Sequence, residues 1–396
     1  MQCPSLDELP RAPLNKEGWP WTEESKNIDE EPTKYPDFPS ISIITPNLNQ
    51  AKYLEETIRS VLLQGYPCLE YIIIDGGSTD GSLEIIKKYE KWLTYWASES
   101  DTGQSNALNK GFRQATGTIV AWLNSDDIYE IDSICKVAIL FATLTDTDII
   151  YGDGEYVDEE CHFIDIGKSK CLENTDVTQF IPNQIFQPSL FFKRKILDQV
   201  GFLDESLHFA MDVDFWIRAF SNRKTFYTEN TLSKFKLHQS GKTTSASLRF
   251  LLEELKLIGR YAGTQSLFNQ QLGVYTYKKS IIDNISCEAA YELIIGEMET
   301  SNINRQYITN ASHVKAQTIT NAYLWDADYF YNALNLVKCR ENLSIVLKKS
   351  PLKMLSTKFF YLLFASRLPI RIIKWLRTTT RSSQINAQGR DWLKGH

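Results

Sequence analysis

The chain has 396 residues, 43% of them hydrophobic, which is enough to bury one large core or two modest ones and excludes disorder as its main state. Its net charge of −6 excludes a nucleic-acid binder, because displacing counterions from phosphates takes an excess of Lys and Arg. Its 7 cysteines are scattered without a Cys-x-x-Cys pair, so zinc and dithiol chemistry are excluded and a reducing compartment is expected.

The N-terminal residues lack the basic and apolar regions of an export signal, and no stretch reaches the roughly 20 apolar residues that span a bilayer. A cytoplasmic protein is expected, with membrane contact only peripheral. Residues 1–40 carry Pro4, Pro10, Pro13, Pro20, Pro32, Pro36 and Pro39, with Trp19 and Trp21 as bulky anchors. They predict an extended lead-in draped over the body.

From Ile41 onward, short apolar runs (Ile41 to Ile44, Tyr71 to Ile74, Ile119 to Leu123, Ile149 to Tyr151) alternate with segments of helical period. This pattern predicts an α/β fold, a Rossmann-like, mostly parallel sheet flanked by helices, over residues 41–245. The first helix places Leu54, Ile58, Val61 and Leu62 on one stripe; a later one does so with Ala107, Leu108, Gly111, Phe112 and Ala115. The strands are apolar throughout, as burial on both faces requires, and ligands of such sheets sit outside the carboxyl ends of the strands. Residues 246–396 change to longer helical segments and form a separate, mostly helical region.

The polar motifs follow the strands. Pro46 is expected to stop the first ladder, leaving Thr45, Asn47 and Asn49 to bond a base or ribose or to cap the next helix. The second strand ends in Asp75-Gly76-Gly77-Ser78-Thr79-Asp80-Gly81, where glycines let a ligand approach the backbone and Asp75 offers a carboxylate to a base N–H or a ribose hydroxyl. The spacing is not Gly-x-Gly-x-x-Gly, which disfavours a nicotinamide cofactor. Gln104 and Lys110 lie in a polar loop and helix start, with Lys110 a phosphate partner. Asn124-Ser125-Asp126-Asp127 follows a buried strand at once; adjacent carboxylates there repel and resist desolvation, so they call for a cation such as Mg²⁺ or Mn²⁺, or Asp126 or Asp127 caps the next helix. Met211-Asp212-Val213-Asp214 sets two carboxylates at a helix start, as general base or N-cap. Gly241-Lys242-Thr243 is not a phosphate loop, because Lys236 stands where that motif needs glycine. His238 is a metal or phosphate ligand, or a structural histidine.

Taken in order, these segments resemble the family 2 glycosyltransferases, inverting enzymes with the A-type glycosyltransferase fold, across about residues 41 to 245. The resemblance implies that Thr45, Asn47, Asp75, Gly76, Ser125 and the loop around Gln104 and Lys110 hold a nucleotide-diphosphate sugar, usually of uridine, guanosine or thymidine. It implies that Asp126 ligates Mn²⁺ or Mg²⁺, with Asp127 as its rival and His238 nearby. The family's Asp-x-Asp signature reads Asn124-Ser125-Asp126 here, so its first ligand is neutral. Asp212 becomes the base that deprotonates a hydroxyl of a glycan or lipid-linked acceptor, in cell-surface polysaccharide synthesis. The alternative is a binding protein that keeps the fold with impaired turnover. A nucleotidyltransferase would need a glycine-rich basic loop where Asn47-Leu48-Asn49-Gln50 stands.

Near the C-terminus, residues 342–390 hold 10 Lys or Arg and no Asp or Glu. Arg367, Arg371, Lys374, Arg377 and Arg381 recur at spacings of three and four, which predicts a basic amphipathic helix suited to an anionic membrane surface on its cytoplasmic side, or packed on the body or a second subunit.

Overall fold

A computed structural model describes residues 3–25, 38–172, 185–242, 247–262, 285–300 and 336–349, with short pieces between 272 and 362. The basic segment 359–381 lies outside the described residues. The chain divides between Glu254 and Leu255 into two compact units. In the second unit, α8 (Cys287–Thr300) buries Ala290, Ile294 and Met298, and α9 (Leu336–Lys349) buries Leu343 and Val346.

The first unit is built on one nine-stranded sheet. Strands β1 (Ile41–Asn47), β2 (Leu69–Asp75), β3 (Tyr95–Ser98) and β4 (Ile119–Trp122) are mutually parallel in the order 3-2-1-4. They are joined through α1 (Ala51–Leu62), α2 (Ser82–Tyr89) and α3 (Gln104–Gln114). Leu54, Ile58, Val61 and Leu62 of α1 are fully buried, as their helical spacing predicts. A methyl group on Gly111 of α3 would stand 2.4 Å from Ile44 Cγ2, so glycine there lets α3 lie directly on β1.

The sheet then changes character. β5 (Ile128–Tyr129), α4 (Ser133–Thr143), β6 (Ile149–Val157), β7 (Phe163–Gly167), β8 (Leu190–Lys193), α5 (Lys195–Val200), α6 (Met211–Phe220) and β9 (Thr225–Lys236) complete the unit, and α7 (Ser247–Leu257) runs across the division. β8 is antiparallel to both β4 and β6, β6 is parallel to β9, and β5 is antiparallel to β9. The sheet is therefore mixed, parallel in its first half and woven in both directions in its second. β8 is the reversed strand: two antiparallel steps, β4 to β8 and β8 to β6, leave Ile149–Tyr151 of β6 running in the direction of β1 to β4.

Two further points position the site. Pro46 does not stop β1, which runs on to Asn47 opposite Asp75. β4 has diverged after Ile44, so β1 is an edge on that side, where proline is tolerated. Of the lead-in, residues 3–25 are anchored on the body: buried Arg59 of α1 donates to the carbonyls of Pro10, Pro20 and Trp21, and Trp19 Nε1 donates to Tyr129 O at 2.7 Å.

Candidate active site

β1, β2 and β4 all end at one edge of the sheet, and the order 3-2-1-4 reverses between β1 and β4, the point where open α/β sheets bind ligands. At the end of β2, Asp75 is fully buried and its oxygens are ringed by donors. Oδ1 accepts from Asn47 Nδ2 at 2.6 Å and Ser78 Oγ at 2.5 Å; Oδ2 accepts from Ser98 Oγ at 2.6 Å and the backbone N–H groups of Gly77 and Ser78. Burial alone would raise this carboxyl, but the hydrogen bonds from Ser78, Ser98 and Asn47 outweigh it and hold Asp75 below the usual carboxylate range. Asp75 thus knots the ends of β1, β2 and β3 together. The space beside Gly76 is taken by the Asp101 carboxylate, 2.7 Å from where a Cβ would sit, so Gly76 admits a side chain of the protein itself. Thr45 is buried, with Oγ1 3.1 Å from Tyr71 OH. Asn47 is buried too, and its Oδ1 has no partner within the protein.

The tetrad after β4 is pinned from three sides. The Thr57 hydroxyl of α1 contacts the carbonyls of Ser125 at 3.0 Å and Asp127 at 2.8 Å, and Ser125 is buried. The tetrad itself is a tight turn, closed by the Asp127 N–H donating to Asn124 O at 3.1 Å. Asp127 points inward, buried, with Oδ2 accepting from Asn124 Nδ2 at 3.0 Å and Oδ1 from Lys236 N at 3.3 Å. Burial and the Asp126 charge push Asp127 well above the usual carboxylate range. Asp126 points the other way, to the open edge.

Asp126 meets His238 there. The antiparallel register of β5 and β9, Ile128 opposite Lys234, brings the two loops side by side, and His238 Nε2 lies 2.9 Å from Asp126 Oδ2. The other ring nitrogen, Nδ1, is 2.8 Å from Ser240 Oγ, and Tyr53 packs on the ring with centroids 4.6 Å apart. If Nδ1 donates to Ser240, Nε2 keeps its lone pair for a metal. The two atoms stand at hydrogen-bond distance, and a hard divalent ion about 2.1 Å from each would take the place of the proton between them. Both oxygens of Asp127 are bonded within the protein, to Asn124 Nδ2 and Lys236 N. A second cluster of metal-ligating types, Asp158, Glu160 and His162, lies in the exposed turn between β6 and β7.

Asn124 is held as an amide. Its Oδ1 accepts from Gln104 Nε2 at 2.7 Å and its Nδ2 reaches Asp127 and Gln187, whose own Nε2 donates to Trp122 O at 3.0 Å. Gln104 Oε1 continues this chain to Lys242 Nζ at 2.9 Å, a link that no local pattern in the sequence announces. Lys110 pairs with Glu99 at 2.7 Å on the rim.

Asp212 opens α6. Asp214, two residues on, is tied to Arg218 by contacts of 2.8 and 3.0 Å and is buried, so it is engaged in the fold. At Asp212 desolvation prevails, and burial pushes its carboxyl up to about 6. Glu253 of α7 accepts from the backbone N–H groups of His208, Phe209 and Ala210, capping the start of α6 from another part of the chain. α6 is fixed to β4 by Trp216, whose ring stacks on Trp122 at 4.8 Å and 11°, with Phe215, Phe192 and Phe112 around them. The strand that ends at the tetrad and the helix that begins at Asp212 are therefore parts of one aromatic core.

The mixed α/β sheet thus carries a carboxylate–histidine pair at its switch point, with a second carboxyl, Asp212, raised by burial at the start of α6. The sequence profile described as glycosyl transferase family 2 matches residues 42–211. A PGL/p-HBAD biosynthesis glycosyltransferase of Mycobacterium bovis is 31% identical over 190 residues, which cover 46% of this chain and 71% of that protein. An uncharacterized glycosyltransferase of Rickettsia prowazekii is 28% identical over 307 residues, 72% of this chain and 96% of that one. Among solved structures, S. aureus TarS 1-349 in complex with UDP-GlcNAc superposes with a TM-score of 0.50 at 18% identity, over 74% of this chain and 92% of that one, and shares the fold. The chain belongs to glycosyl transferase family 2.

Proposed function

We propose that this glycosyltransferase moves a sugar, with inversion, from a nucleotide-diphosphate sugar to a hydroxyl of a glycan or lipid-linked acceptor in cell-surface polysaccharide synthesis. The observation that carries this reading is the Asp126–His238 pair at the same sheet edge as Asp212. Asp126 and His238 would hold Mn²⁺ or Mg²⁺; when bound, such an ion supplies Lewis-acid stabilisation of the charge on the departing diphosphate. Asp212 takes the proton of the acceptor hydroxyl as the acceptor oxygen bonds to the sugar C1. The bond from C1 to the β-phosphate oxygen breaks, and its electron pair stays on the phosphate. Asn47, with an unpartnered buried carbonyl oxygen, and the Gln104–Asn124 pair are the donor-binding groups this reading favours. Asp75 orders the same strand ends from within.

A relative named for PGL/p-HBAD biosynthesis and a neighbour of the same fold in complex with UDP-GlcNAc support a nucleotide-sugar donor and a surface glycan acceptor. No described helix is long and apolar enough to cross a membrane, and we assign residues 359–381 as a basic peripheral contact with an anionic membrane on the cytoplasmic side. Liposome co-sedimentation of the chain cut after Ser350 tests that contact; binding unchanged by the cut rejects it.

The test of the donor reading is a panel of nucleotide sugars screened for metal-dependent thermal stabilisation, since a ligand at 100 times its Kd adds about 2.7 kcal/mol. A second reading, donor binding with impaired turnover, draws on the neutral Asn124. Stabilisation without any transfer or slow donor hydrolysis in Mn²⁺ or Mg²⁺ would select it.

A further inference from the structure

The donor site is crowded with acid. Asp101, Asp126, Asp212 and Glu253 all act on one ammonium, that of Lys242. A nucleoside diphosphate cannot approach such a cluster without positive charge to meet it, and one divalent ion at Asp126 and His238 leaves the acceptor side of the cluster uncompensated. Among the other cations of this region, Lys236 is buried against Glu56 at 2.6 Å, while Lys110 and Lys52 stand on the exposed rim beside Glu99 and Glu159.

Lys242 differs in its partners. A tight turn, Gly241 N to His238 O at 3.0 Å, brings it back across the site after His238. Its Nζ donates to two neutral oxygens, Gln104 Oε1 and His208 O, each at 2.9 Å. Among the described residues no carboxylate forms an ion pair with it. An ammonium has three N–H donors, so a further bond is open to an anionic oxygen.

We propose that Lys242 binds the β-phosphate of the donor and receives the charge that develops on it as the sugar leaves. This inference rests on the nucleotide-sugar reading above. The β-phosphate is the one joined to C1, where Asp212 works, and Lys242 lies within electrostatic reach of Asp212 and Asp126 together. The role that the sequence suggests for Lys110 passes to a residue 132 positions later, from a segment without a phosphate-loop signature.

The experiment titrates UDP, GDP and dTDP, and the corresponding monophosphates, into the Mn²⁺-loaded wild-type chain and its Lys242→Met, Lys242→Arg and Lys110→Met variants. For the tightest diphosphate, Lys242→Met weakens binding about tenfold or more, Lys242→Arg restores most of it, and the monophosphate and Lys110→Met values stay within about twofold of wild type. Unchanged diphosphate binding by Lys242→Met overturns the assignment, as does an equal loss for the monophosphate, which would mean that Lys242 acts by placing Gln104. If the wild type binds none of the three diphosphates, the nucleotide-sugar reading fails first and this inference falls with it.

Discussion

His238 Nε2 lies 2.9 Å from Asp126 Oδ2 although 112 residues separate them, because β5, which follows Asp126, pairs antiparallel with the end of β9, which precedes His238. Asp127, next in sequence to Asp126, is turned into the interior and bonded to Asn124 and Lys236. Asp126→Asn and His238→Ala are each expected to weaken Mn²⁺ binding, measured with a nucleoside diphosphate present, by about tenfold or more. Asp127→Asn, which resembles the neutral acid that burial favours, is expected to change it by less than about threefold. Equal losses for Asp126 and Asp127 would show that the ion is held differently.

Asp212→Asn removes the base while leaving the strand ends untouched. Transfer should fall by about 10²–10⁴-fold with donor binding retained, the range expected for loss of a general base. Asp214→Asn should act on stability instead, because it leaves Arg218 without the carboxylate it now grips by two nitrogens.

The pH dependence follows from the same group. With the Asp212 carboxyl raised to about 6, the rate should climb as pH rises through that value and level off above it. The sign for stability is opposite. Between the ordinary carboxylate value of 3.8 and about 6 the folded chain holds a proton that the unfolded chain has released, so this contribution is present at low pH and lost as pH rises through 6. Asp212→Asn should therefore raise Tm at neutral pH and raise it less near pH 4, where thermal unfolding of both forms is compared.

The Trp122–Trp216 stack couples Asp126 to Asp212 through the core. Trp216→Ala should destabilise the first unit by about 3–5 kcal/mol in denaturant titrations. At temperatures where the variant is folded, kcat should fall more than KM rises, because the base moves relative to the tetrad while the donor groups on β1 and α3 stay in place.

Much of this site is legible in the sequence, and the rest is hidden for physical reasons. Strand ends, the tetrad and Asp212 announce themselves because buried strands end abruptly in polar residues, and the helical stripes of α1 and α3 follow from period alone. Which of Asp126 and Asp127 is buried depends on a turn from Asn124 to Asp127 whose Asp127 side chain is held by Asn124 and by Lys236 N from 109 residues away, a contact the sequence does not announce. Asp75 reads as a ligand-binding acid; three of its five donors come from Gly77 and Ser78 next to it, and the other two, Asn47 and Ser98, are brought from the ends of β1 and β3 by strand pairing alone. Lys110 reads as a phosphate partner and stands beside Glu99 on the rim, whereas the contacts of Lys242 with Gln104 and His208, 138 and 34 residues away, have no local sign in the sequence.

The most direct test is release of nucleoside diphosphate from a panel of UDP-, GDP- and dTDP-sugars by the wild-type chain and Asp212→Asn, with Mn²⁺ and with EDTA. Metal-dependent release with at least one donor, abolished by EDTA and reduced at least about a hundredfold in Asp212→Asn, is the predicted result. Release that is indifferent to EDTA would contradict the metal-holding role of the Asp126–His238 pair, and release undiminished in Asp212→Asn would contradict Asp212 as the base.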